Sequence, residues 1–129
     1  MTDRSRYEKK LFFIGALWNW IASLLLLFLY FVNQELLEYY HKIPETMLWY
    51  YIFLGAVFVF GLGYYYISKD VQRNRDLIKM GVLAKGIVFL LFLIYLIEGE
   101  VRVLLFLGGF VDLIFAVLFA EVLVRMRQA

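Results

Sequence analysis

The chain has 129 residues, 64% of them hydrophobic and 20% aromatic, with a net charge of +2 and no cysteine. A water-soluble fold of this length has too little polar surface to cover that much apolar area, so lipid is the solvent for most of the chain. The missing cysteines exclude disulfides, thiolate catalysis and cysteine-ligated metal or iron–sulfur centres.

A basic segment with Arg4, Arg6, Lys9 and Lys10 leads into the first apolar stretch, Leu11 to Val32. Its run of about 22 residues exceeds the ~7–15 of a signal-peptide core, and no small-x-small cleavage pattern follows, so it is kept as span 1. Gly15, Asn19, Ala22 and Ser23 form a small and polar stripe along it. After span 1, Glu35 to His41 has helical spacing that lays Leu36, Leu37 and Tyr40 on the membrane surface, and Pro44 ends that turn. Glu38 and His41 stand at i, i+3 as in bundle di-metal sites, but such sites need a second copy and further carboxylates. A single copy in a loop reads as a solvated histidine, and no metal site is expected.

Span 2 runs from Met47 to Ile67, opened by Trp49, Tyr50 and Tyr51 and closed by Tyr64, Tyr65 and Tyr66, which read as aromatic belts at the two interfaces. Gly55, Ala56, Gly61 and Gly63 give it small residues for close packing. The next connector interleaves Arg73, Arg75 and Lys79 with Val71, Leu77 and Ile78, which predicts an interfacial turn on anionic headgroups, at roughly 1 kcal/mol per basic residue. The patch is too small to suggest nucleic acid. Span 3, Gly81 to Ile97, contains Lys85, and span 4, Val103 to Val124, contains Asp112 within the stripe Gly109, Asp112, Ala116 and Ala120. The stripes predict that spans 1, 2 and 4 pack tightly, with Phe89 and Phe92 of span 3 filling the remaining volume.

The fold class that follows is all-α, an integral membrane four-helix bundle forming a single domain over residues 1–129. Lys and Arg set its orientation. Ten of them lie at the two termini and in the connector between spans 2 and 3, against only Lys42 and Arg102 on the opposite side, so both termini are expected in the cytoplasm. This bias, and the lack of an acid in span 1, argue against a dual-topology small multidrug transporter.

Asp112 falls near the bilayer midplane, where an ionised carboxylate costs at least ~2.5–3.5 kcal/mol. Without a cation beside it, such a group is held neutral as a hydrogen-bond donor, and Asn19 and Ser23 are its neutral partners by depth. Lys85 lies only about 6 Å inside its span by helical rise. Either it snorkels toward the cytoplasm, or it reaches up to Asp112 while Glu121 snorkels alone, or it pairs with Glu121 at the rim.

The stretches Gly15-Ala-Leu-Trp-Asn19, Arg75-Asp-Leu-Ile-Lys-Met-Gly-Val-Leu-Ala-Lys85 and Gly108-Gly-Phe-Val-Asp-Leu-Ile-Phe-Ala-Val-Leu-Phe119 resemble small bacterial four-span membrane proteins of the DoxX-like and EXPERA-type class. The resemblance implies a bacterial inner-membrane location and a bundle cavity lined by Asn19, Lys85 and Asp112. EXPERA-type members bind sterol-like or other hydrophobic ligands, and some isomerise them with intramembrane acids and histidines, whereas this chain has no intramembrane histidine. A DoxX-type redox role, without thiols since cysteine is absent, or a role as partner of a membrane complex is also implied.

Enzyme constellations are missing from the sequence. Ser5, Ser23 and Ser68 are the only serines and the one histidine is in a loop, so no catalytic triad is expected. Gly61-x-Gly63 lacks a P-loop context, and no cofactor is expected. The expected function is non-enzymatic, either binding of a lipid-like or other hydrophobic ligand around Asp112, Lys85, Asn19 and Ser23, or service as a small accessory subunit. The alternative is a proton-coupled transporter or channel, which with four spans needs a homo-oligomer; a membrane isomerase ranks third.

Overall fold

The structure, a computed structural model, describes residues 2–128. Five α-helices and one short 3-10 turn make up the described residues, with no strand among them: α1 (Asp3–Val32), α2 (Gln34–Tyr40), α3 (Met47–Lys69), the 3-10 turn (Gln72–Asn74), α4 (Arg75–Ile97) and α5 (Val103–Gln128). Helices α1, α3, α4 and α5 are each long and apolar enough to cross a membrane. Large apolar side chains such as Ile21, Phe31, Leu83 and Ile97 are exposed all around the bundle, a surface that only lipid tolerates. The chain is a membrane protein.

The helices end where the residues dictate at one end of the bundle and overrun at the other. Asn33 caps α2 by accepting the Leu36 amide at 3.1 Å. Pro44 precedes α3, and Gly99, at φ +80°, allows the tight turn from α4 into α5. At the opposite end the spans continue as helix into the charged flanks, because Arg, Lys and Glu are good helix formers and no Gly or Pro stops them. Thus α1 begins at Asp3 rather than Leu11, and α4 at Arg75 rather than Gly81. Arg4 donates to Glu121 at 2.6 Å, so both ends of the chain lie at this overrun end, together with the α3–α4 connector. It is called the terminal end below, and the other the loop end.

The helices pack as two pairs, α1 with α3 and α4 with α5, and the pairs approach each other much less closely. This corrects the expected trio of spans 1, 2 and 4. The small residues meet large partners from particular neighbours: a Cβ on Gly109 would lie 2.8 Å from the Phe92 ring, and one on Gly61 would lie 2.6 Å from the Trp20 indole nitrogen. Gly55 and Gly63 meet nothing within 4 Å, so of the three glycines in the expected stripe on α3 only Gly61 packs closely.

In the terminal half the two pairs are joined by a solid core. Phe12 stacks on Phe119 with ring centroids 4.4 Å apart, and Phe119 also meets Tyr64 at 5.2 Å and Phe115 at 5.7 Å. Ile67, Ile78 and Val122 complete this layer and are fully buried. In the loop half a second, smaller cluster holds only α1, α2 and α3, through Leu37, Tyr50 and Leu54. Leu37 is therefore a core residue and not, as expected with Leu36 and Tyr40, a membrane-surface one; it turns inward to join Tyr50 and Leu54 of α3. The two loops are tied by Arg102, whose amide donates to the Tyr40 carbonyl at 3.2 Å and whose Nε donates to the Tyr39 carbonyl at 3.0 Å.

Candidate functional site

The site begins with a clamp between α1 and α3. Asn19 Nδ2 donates to the Val57 carbonyl at 3.0 Å, and Trp20 Nε1 donates to the next carbonyl, Phe58, at 3.2 Å. Both carbonyls belong to a helix and use their second lone pair for the bond. Gly61 makes the clamp fit, since any larger residue would strike the indole. The clamp fixes the Asn19 amide with its oxygen pointing toward the second helix pair.

That oxygen accepts from Lys85. The Lys85 ammonium is buried, donates to Asn19 Oδ1 at 3.0 Å and to Asp112 Oδ1 at 2.6 Å, and lies 5.2 Å from the Tyr64 ring centroid and 5.1 Å from that of Phe115. The side chain neither snorkels nor meets Glu121. The way outward is closed by the Phe12, Tyr64 and Phe119 layer, and pairing with Asp112 removes two unmatched charges at once. Glu121 instead bonds Arg4 and Arg125. Asp112 is accordingly ion-paired, so the neutral carboxyl expected in the absence of a cation, with Asn19 and Ser23 as partners, does not arise: Asn19 reaches Lys85, and Ser23 Oγ donates to the Trp20 carbonyl of its own helix at 3.1 Å. A buried pair offsets its desolvation only with further hydrogen bonds, and Asn19 supplies one.

Above this pair, toward the loop end, the two helix pairs stand apart around a cavity of about 210 Å³ lined from α1, α3, α4 and α5. Asn19, Ser23, Tyr64, Lys85 and Asp112 give it a polar floor, and residues such as Leu26, Phe53, Val88 and Leu105 give it apolar walls. Tyr64 was read with Tyr65 and Tyr66 as an interfacial belt, but the three part company: Tyr64 is 2% exposed and Tyr66 57%. Gly81 makes the difference, because a Cβ there would lie 2.7 Å from the Tyr64 ring. Tyr64 Oη and Asp112 Oδ2 make no hydrogen bond to protein among the described residues, and both residues line the cavity. Tyr64 is the site residue that the sequence concealed, since three consecutive tyrosines at a span end look alike.

The basic residues of the α3–α4 connector lie away from this site. Arg73 sits in the 3-10 turn, Arg75 opens α4, and Lys79 donates to Asp76 at 3.1 Å. Glu38 and His41 form no metal cluster; among the described residues no group of three or more His, Cys, Asp or Glu side chains could hold a metal ion.

No protein-family model, curated protein or solved structure matches the chain, so the bundle and its charged floor stand as the basis for a functional reading.

Proposed function

We propose that the bundle binds a small hydrophobic or lipid-like molecule, with its apolar part between the helix pairs and a polar end on Asp112, Lys85 and Tyr64. The observation that supports this is the cavity itself, open in the loop half and floored by a charge pair with unused hydrogen-bonding capacity. Its volume exceeds the ~150 Å³ of an apolar cavity that holds benzene, and suits a short chain segment or one ring system. Because Lys85 and Asp112 balance each other, a neutral end such as a hydroxyl or carbonyl fits better than an ion. The role is non-enzymatic in this reading, as a carrier, sensor or accessory subunit of a membrane complex. It operates in a bacterial inner membrane with both termini in the cytoplasm, which the ten-to-two Lys and Arg asymmetry supports.

Native mass spectrometry of gently extracted wild type and Ala22→Phe tests it. Ala22 lines the cavity and its methyl group takes no part in the polar floor. A stoichiometric small molecule on wild type, absent from Ala22→Phe, is the expected result; equal retention by both rejects the cavity as the site.

A second reading, proton-coupled transport by a homo-oligomer, is favoured by the carboxylate oxygen of Asp112 that the ion pair leaves free. It predicts proton flux in reconstituted vesicles that the double variant Lys85→Met/Asp112→Leu abolishes. Wild-type vesicles without flux above protein-free controls would dismiss it. An isomerase is less favoured, since the site offers no histidine.

A further inference from the structure

At the terminal end, α1, the end of α3 and the last turns of α5 enclose a cleft of about 540 Å³, separate from the bundle cavity. Its charged lining is Arg4, Glu8, Lys9, Lys69, Asp70 and Arg125. The four basic side chains outnumber the two acids. Glu8 accepts from Arg4 Nε at 3.1 Å, and Asp70 Oδ1 accepts from the Arg73 amide at 3.2 Å, capping the 3-10 turn. Arg4 and Arg125 are further held by Glu121. Lys9 and Lys69 are left with no acid within ion-pair distance among the described residues. Lys69 rests its ammonium 4.8 Å from the Tyr65 ring centroid. Two cations from neighbouring helices in one cleft repel each other unless an anion lies between them.

A second feature points to the source of that anion. Lys9 also lines a shallow groove on the outer face of α1 with Lys10, Phe13, Ile14 and Ser68. Phe13 and Ile14 are 43% and 54% exposed on the apolar surface of the bundle, so the basic cleft continues into an apolar strip. This is the layout of a headgroup above a chain, and basic pockets between membrane helices commonly take anionic lipid headgroups. We infer that the cleft seats the phosphodiester of an anionic phospholipid between Lys9 and Lys69, with one acyl chain along Phe13 and Ile14. A zwitterionic lipid is disfavoured because its ammonium group would meet the same lysines.

The test is native mass spectrometry of the full chain titrated with an equimolar mixture of phosphatidylglycerol and phosphatidylcholine of equal chain length. Wild type is expected to retain one phosphatidylglycerol in preference. Lys9→Gln/Lys69→Gln should weaken that binding roughly 30-fold, whereas Arg6→Gln/Arg127→Gln, which removes the same charge from the same end of the bundle outside the cleft lining, should leave it unchanged. Equal weakening in both variants would mean diffuse surface charge and overturn the site. Displacement of the lipid from wild type by millimolar inorganic phosphate would mark a free-anion site and overturn the lipid assignment. Should Lys9→Gln/Lys69→Gln lose helix by circular dichroism, Lys9→Arg/Lys69→Arg serves instead and must keep the preference, its loss overturning a charge-based seat. The cleft and the bundle cavity share no lining residue, so neither outcome bears on the cavity ligand.

Discussion

The terminal and loop halves of the bundle are built from the same four helices, yet one is closed and the other holds a cavity. In the terminal half, Phe12, Tyr64, Phe115 and Phe119 bridge the α1–α3 and α4–α5 pairs. In the loop half, Leu37 of α2 packs only on the first pair, Phe92 on Gly109 and Phe89 against Phe106 hold only the second, and α2 meets the second pair through the Arg102 hydrogen bonds. Lipid supplies no hydrophobic drive for helices to close a gap, so they meet where side-chain shape and polar bonds make them meet. The Lys85–Asp112 pair lies at the boundary, belonging to the closed half by burial and to the open half by chemistry.

The sharpest way to break this division is at its boundary. Asp112→Ala leaves the Lys85 ammonium buried and unpaired, at an expected cost of about 3–5 kcal/mol. Lys85→Met/Asp112→Leu should recover most of that loss, because an apolar pair replaces an ionic one at little net cost. Thermal unfolding in detergent of the two variants and each single partner checks both statements. If Asp112→Ala unfolds like wild type, the pair is not formed in the folded protein.

Next in size is Phe119→Ala, which opens the closed half and should cost about 3 kcal/mol by the cavity it leaves. The most direct comparison uses one substitution twice on one helix. Ala16→Leu, in the fully packed layer of α1, should destabilise by about 1–3 kcal/mol through overpacking. Ala22→Leu, six residues on and lining the cavity, should change stability by less than about 1 kcal/mol. Similar losses at both positions would mean that the loop half is closed in the membrane. The smallest effect is expected at the loop end, where Arg102→Ala removes a contact to the Tyr39 carbonyl at the surface and should cost under about 1 kcal/mol.

Much of the scaffold was legible in the sequence, because span length and hydropathy report the solvent directly. Loop-end boundaries followed from the apolar runs, which stop at Val32 and Ile97 and resume at Met47 and Val103 where the helices do; terminal-end boundaries did not, since charge marks the edge of hydrocarbon and not the end of a helix. The small-residue stripes identified Gly15 and Gly109 as packing positions but misjudged Gly55 and Gly63, because periodicity shows a face without showing what lies opposite. The choice between partners for Lys85 was beyond reach for a related reason. Depth along an isolated helix favours snorkelling, and only the tertiary arrangement reveals that aromatic rings close that route. Tyr64 was hidden by its neighbours, whose identical side chains are half-buried at Tyr65 and exposed at Tyr66.

The placement of Lys85 and Asp112 on consecutive helices has a consequence for biogenesis. Each helix alone would carry an uncompensated charge into the bilayer, at ~2.5–3.5 kcal/mol for Asp112 near its centre and less for Lys85 nearer the edge. The turn from Ile97 to Val103 is short, and α4 and α5 are already the closely packed pair, so the two charges can neutralise each other within one hairpin. The second half of the chain is thus suited to leave the insertion machinery as a single electroneutral unit. Docking against α1 and α3 then has only to bring Asn19 to the lysine.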